Sequence, residues 1–98
     1  MLEEFLREIK NSLDKNLKKI VLFGSRARGE GKAGSDYDLL LVLEKIDRRT
    51  RDLIDSIVSW FLVEKGVYFS VHSFTQEQLE KMRFEPFIIN AEREGILL

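Results

Sequence analysis

The stretch IVLFGSRARGEGKAGSDYDLLLVL, residues 20–43, contains two apolar runs held apart by fifteen residues that no core could absorb. Within those fifteen lie four glycines, three cations and two aspartates. KIVLF (19–23) reads as a short buried strand. LLLVL (39–43) is apolar at every position, as expected of a strand covered on both faces and therefore central in its sheet. The connection is much longer than a tight hairpin requires, which marks it as functional or internally structured.

The two ends of that connection carry different chemistry. Gly24 directly follows a strand, and Ser25 is placed to cap a short helix over Arg26 to Arg28. Backbone N–H groups would then point above the strand end, a nest suited to phosphate. The stretch lacks both the G-K-[ST] closure of a Walker A loop and a GxGxxG pattern, and a plain strand-to-helix turn would carry the same Gly-Ser signal. Asp36 and Asp38 stand two residues apart at the mouth of the second strand. That spacing puts both side chains on one face and Tyr37 on the other. Carboxylates so close repel each other unless a cation sits between them, and a divalent metal offsets the repulsion. Solvated loop aspartates are the plainer alternative.

Outside this stretch the pattern continues in helices and one more strand. Leu2, Phe5, Leu6, Ile9 and Leu13 recur at helical spacing and predict a first helix ending before Lys18. Asp47 is a candidate N-cap for a helix turning Leu53, Ile54, Ile57, Val58, Phe61 and Leu62 inward, with Gly66 as its C′ residue. VYFSVHSF (67–74) reads as a third strand. Thr75 to Gln78 fits a capping box, and Pro86 opens a final helix ending near Gly95. The order α, β, loop, β, α, β, α, α predicts an α/β (α+β) fold, a small mixed sheet flanked by helices, in a single domain spanning 1–98.

Composition narrows the chemistry. A net charge of −1 supplies no global field for polyanions, which argues against nucleic acid as the main partner. No apolar run approaches the ~20 residues that span a bilayer, and MLEEFLREIK lacks the basic start of a secretory signal, so a cytoplasmic protein is expected. With no cysteine and one histidine, His72, any metal must be held by carboxylates, which favours a hard cation such as Mg²⁺.

Gly24-Ser25, ten residues, then Asp36-Tyr37-Asp38, each half adjoining a strand, resembles the G-S-x(10)-D-x-D signature of the DNA polymerase β-like nucleotidyltransferase superfamily. The chain is most similar to its minimal nucleotidyltransferases, the antitoxins of HEPN/MNT toxin-antitoxin modules, and the resemblance spans most of its length. It implies a nucleotidyltransferase-like fold and transfer of NMP, AMP from ATP, to a hydroxyl on a partner protein, a HEPN-type toxin silenced by that modification. By the same resemblance Gly24 allows close approach of phosphate and Ser25 donates to it. Arg26 and Arg28 add positive charge near the triphosphate, and Asp36 and Asp38 hold two Mg²⁺ ions.

The chain departs from the family pattern at one place. Active members carry a third carboxylate on the next strand, where this sequence has Tyr68 and Ser70. Glu44 shares the strand face of the aspartates but lies roughly 20 Å along it. Glu30, Glu64 and Glu77 could serve only if their elements fold back over the site. A second reading therefore stands beside the enzyme, that of an antitoxin neutralising its partner by contact without catalysis. His72 reads as an edge or packing residue, and Trp60 as packing against the sheet or an interface. Lys18-Lys19 and Arg48-Arg49 read as solvated ends of elements. Phe84, Phe87, Ile88 and the terminal Ile96, Leu97 and Leu98 are expected to form an interface, to a partner or to a second copy of the chain, in addition to core.

Overall fold

Antiparallel pairing of the two strands that flank the long connection organises everything else. In a computed structural model that describes residues 1–29 and 36–98, helix α1 (Leu2–Leu13) leads through one 3₁₀ turn into strand β1 (Leu17–Phe23). Strand β2 (Tyr37–Leu43) is followed by α2 (Arg48–Lys65), β3 (Phe69–Thr75), α3 (Gln76–Lys81), α4 (Pro86–Glu94) and the two-residue β4 (Ile96–Leu97). The strands lie in the order β3-β2-β1-β4. β1 is antiparallel to β2 and β4, and β3 runs parallel to β2, reached by the crossover through α2. The expected mixed sheet flanked by helices is the observed one.

Both faces of β2 are covered, which is why LLLVL shows no alternation. On one face Leu39, Leu41 and Leu43 join Ile20, Leu22 and Phe69 under Phe5 and Ile9 of α1 and Ile54 and Phe61 of α2. Phe5 stacks on Phe69 with ring centroids 3.9 Å apart, and Phe61 meets both rings edge-on. On the other face Leu40 packs with Val21 and Ala91, and Val42 with Leu79 and Ile88, beneath α3 and α4.

Local chemistry sets the element ends. Asp47 Oδ1 accepts from the Thr50 backbone N–H at 2.9 Å and from its hydroxyl at 2.8 Å, capping α2. Gly66 ends that helix at φ 68°, a left-handed value that favours glycine. Thr75 and Gln78 form the expected reciprocal capping box of α3.

Four features differ from the sequence expectation. β1 begins at Leu17, because Lys18 and Lys19 extend the strand as exposed positions past an irregular register. β3 begins at Phe69, later than expected. Leu62 stays 47% exposed, since Phe61 takes the inward position and its successor turns about 100° round the helix. β4 was invisible as a pattern of two residues, yet it pairs Leu97 with Val21 and Ile96 with Leu22, and Leu98 N–H donates to Ile20 O at 2.9 Å. The C-terminus thus covers the edge of its own sheet, and Phe87 and Ile88 pack inward, while Phe84 and Leu97 remain exposed. Among the described residues no helix is long and apolar enough to cross a membrane.

Gly95 sits at the junction of α4 and β4, where a Cβ would collide with the Ala91 carbonyl oxygen and Val21 Cγ1. Gly95→Ala is expected to destabilise the fold by about 1–3 kcal/mol through this overpacking. Urea denaturation should show a lower midpoint with an unchanged slope.

Candidate functional site

β1 ends and β2 begins at the same end of the sheet, and their register sets Phe23 opposite Asp38. The next residue, Gly24, turns at φ 77°. A Cβ on it would press into Asp38 Oδ2 and come within 3.2 Å of Asp38 Cγ. Glycine is therefore required at this position twice, for its backbone angle and for the close approach of a carboxylate. The two halves of the sequence motif meet at this contact.

After Gly24 the chain makes a tight turn rather than the expected short helix. Gly24 O accepts from Ala27 N–H at 3.1 Å and Arg28 N–H at 3.3 Å, and Arg26 O from Gly29 N–H at 3.3 Å. The Gly24 carbonyl organises the turn, which opens with the N–H groups of Ser25 and Arg26. The two arginines diverge from it. Arg26 lays its guanidinium 4.2 Å from the Tyr37 ring centroid and donates to the Tyr37 hydroxyl at 3.3 Å. Arg28 reaches the other way, to Glu94 of α4, at 2.9 Å.

Asp36 immediately precedes β2 and is exposed, while Asp38 is half-buried. With Arg26, Tyr37, Leu62 and Tyr68, Asp36 lines a pocket of about 290 Å³ on the α1/α2 side, so it sits with Tyr37 rather than on the expected common face with Asp38, which follows Leu40 and Val42 toward α3 and α4; Asp36 precedes the strand and is not bound by its alternation. Burial pushes the Asp38 carboxyl above its ordinary value; the His72 ring pulls it down, and the charge of Asp36 adds to the upward push. A divalent cation held by oxygen donors here would lower the cost of ionising Asp38. Carboxylate oxygens are the donors that suit Mg²⁺, and among the described residues no cluster of three acidic, histidine or cysteine side chains stands within metal-binding reach.

The position where a third carboxylate was sought is clear in the register. Asp38 pairs with Ser70 of β3, so the two side chains leave the same face. Ser70 Oγ lies 3.2 Å from His72 Nε2, and the imidazole is packed near the rings of Phe23 (5.7 Å) and Phe87 (4.9 Å). Tyr68 lies just before β3, and its carbonyl accepts from Tyr37 N–H at 3.3 Å. The other acids are elsewhere. Glu44 pairs with Lys18 at 3.1 Å at the far end of the strands, Glu77 with Lys81 at 3.4 Å, and Glu64 is exposed on α2; Glu30 lies outside the described residues. Trp60 is 52% exposed, resting edge-on against Phe61. A larger cleft of about 560 Å³, beside Asn16, Glu44 and Asp47, lies at the opposite end of the sheet from Gly24 and Asp38. Sequence reasoning missed the Ser70–His72 bond and the Arg26–Tyr37 stack. The S-x-H spacing on a strand was the available signal for the first, since it places both on one face.

Residues 2–98 match the family model described as a nucleotidyltransferase domain. Two Methanocaldococcus jannaschii proteins provisionally named protein adenylyltransferase are similar in sequence. MJ1305 is 32% identical over 91 residues, covering 90% of this chain and 62% of that protein. MJ0604 is 31% identical over 97 residues, covering 99% and 93%. This chain thus spans less than two-thirds of the length of MJ1305. Among solved structures, a nucleotidyltransferase assigned in Sulfolobus solfataricus has a TM-score of 0.58 at 26% identity, covering 98% of this chain and 74% of that one. A toxin-antitoxin structure solved with AMP-PNP has a TM-score of 0.61 at 16% identity, covering 99% and 72%, a likeness of fold alone.

The raised Asp38 pKa fixes the sign of a pH effect. In the unfolded chain the carboxyl returns to its ordinary value, so the folded state binds its proton more tightly and ionisation of Asp38 costs stability. Asp38→Asn should therefore raise the thermal midpoint at neutral pH. The gain should shrink as pH falls through the folded Asp38 titration and vanish below the ordinary carboxylate range. A variant with the same offset at every pH would show that Asp38 carries no such penalty.

Proposed function

The chain belongs to the nucleotidyltransferase domain family, and on that premise we propose that it transfers AMP from ATP to a hydroxyl of a partner protein. The observation that carries this reading is the contact of Gly24 with Asp38, which joins a phosphate-type turn to a metal-type carboxylate at one end of the sheet. In this reading the triphosphate lies along the turn, accepting from the N–H groups of Ser25 and Arg26 and from the Ser25 hydroxyl. Gly24 keeps the approach open. Arg26 flanks one side of the site. Arg28 flanks the other, and its bond to Glu94 would exchange for phosphate. Asp36 and Asp38 would hold two Mg²⁺ ions, which when bound polarise the α-phosphate and neutralise the departing pyrophosphate.

The acceptor is expected from another chain, because this end of the sheet offers one wall of a cleft. We take that chain to be a toxin of the HEPN type, met in the cytoplasm. The protein adenylyltransferase names of the M. jannaschii relatives support protein as the acceptor, and the toxin-antitoxin neighbours of similar fold support a toxin. A second reading draws on the serine at position 70. With no acid facing Asp38 from β3, the chain could bind nucleotide and neutralise its partner by contact alone.

Two measurements test these readings. Calorimetry should detect ATP binding that depends on Mg²⁺ or Mn²⁺, and Asp36→Asn or Asp38→Asn should abolish the dependence; equal binding by all three proteins with and without metal would remove the two-metal reading. With α-³²P-ATP and the partner present, label on the partner supports transfer. Its absence, with binding intact, supports neutralisation by contact.

A further inference from the structure

At the position facing Asp38 the chain carries a hydroxyl joined to an imidazole, a pairing suited to a nucleophile more than to a metal ligand. Ser70 is half-buried and so reachable from the site. It is paired in register with Asp38 on a neighbouring strand, about 4.8 Å away along the hydrogen-bonding direction. Any phosphate held by metal on Asp38 would therefore lie beside Ser70 Oγ. That oxygen is 3.2 Å from His72 Nε2, within the reach that joins a nucleophile to its base. The imidazole packs near the rings of Phe23 and Phe87 with Nε2 toward the serine. When the ring carries its proton on Nδ1, Nε2 accepts from the Ser70 hydroxyl.

We propose that Ser70 is a site of self-nucleotidylation, its hydroxyl taking AMP from bound ATP while His72 accepts the proton. This rests on the nucleotide-binding reading above. Ser70 Oγ attacks the α-phosphorus and forms a phosphodiester bond. The bond from that phosphorus to the oxygen bridging the β-phosphate breaks, and pyrophosphate leaves with the electron pair. The Ser70 proton passes to His72 Nε2, so atoms and charge balance with a nucleoside triphosphate as the sole co-reactant. The product carries AMP beside Asp38 and blocks the position from which an outside hydroxyl would attack, so each chain is modified once.

The test uses the full chain alone, incubated with ATP and Mg²⁺ and followed by intact-mass and peptide mass spectrometry, with ATP binding measured in parallel by calorimetry. One AMP per chain, mapped to Ser70, is expected. Ser70→Ala should gain none, Ser70→Thr should restore the modification, and His72→Asn should slow it by about a hundredfold or more. Circular dichroism confirms that each variant is folded. Wild type that binds ATP with Mg²⁺ but gains no AMP, or gains it elsewhere, overturns the Ser70 proposal and leaves nucleotide binding standing. Unslowed modification in His72→Asn overturns the role of the imidazole. Wild type that binds no ATP overturns both.

Discussion

The carboxylate of Asp38 rests against the bare Cα of Gly24, a contact made possible by two neighbouring facts of the backbone. β1 and β2 are antiparallel and in register at Phe23 and Asp38, and the chain leaves β1 at a left-handed residue. Either alone would be ordinary. Together they require that whatever occupies position 24 has no side chain, and they bring a carboxylate to the start of the turn. Burial and the charge of Asp36 raise the cost of ionising that carboxylate, a cost that a bound cation would lower.

The same sheet explains why the site opens where it does. Along β2 the residues Asp38, Leu40 and Val42 point to one face, and the helical cover over them is graded. Val42 lies under Leu79 and Ile88, Leu40 under Ala91, and by Asp38 the cover has thinned to the rings of Phe23, His72 and Phe87. α3 is a single short helix, and α4 reaches the mouth only through Phe87 and the Glu94 pair with Arg28. On the opposite face α1 and the long α2 seal Leu39, Leu41 and Leu43 completely. One face supplies stability, while the other gives way at one end to polar side chains.

Much of this was legible because the decisive signals were local. Helical periodicity fixed α1, the Asp47 and Gly66 caps fixed α2, and the Thr75 capping box fixed the start of α3, each depending on residues within a few positions. The unbroken LLLVL run announced a doubly covered strand for the same reason. β4 was not legible, because two residues carry no period and only pairing with Val21 and Leu22 makes them a strand. Leu62 misled, since composition assigns it inward and only the three-dimensional direction of α2 turns it out. In the site, the spacing of Asp36 and Asp38 predicted a shared face, whereas Asp36 lines the α1/α2 side with Tyr37 and Asp38 follows Leu40 and Val42 on the other; the parallel register that brings Ser70 to Asp38 is a property of two strands far apart in the chain. The stacking of Arg26 on Tyr37 likewise joins residues whose order in the chain gives no hint of contact.

Electrostatics sharpens the division of labour between the two aspartates. Asp36 is exposed and water meets most of the cost of its charge, whereas Asp38 is half-buried and relies on its neighbours. Among those neighbours Asp36 raises the cost of ionising Asp38, and His72 lowers it by less than burial adds. Arg26 contacts the Tyr37 ring and hydroxyl, and Arg28 pairs with Glu94. A ligand that brought its own divalent cation would lower the cost of ionising Asp38, and its phosphate groups would compete with the Tyr37 ring and the Glu94 carboxylate for the arginines. Glu94 holds Arg28 by a partly exposed ion pair of small net strength, so that exchange is energetically close to neutral.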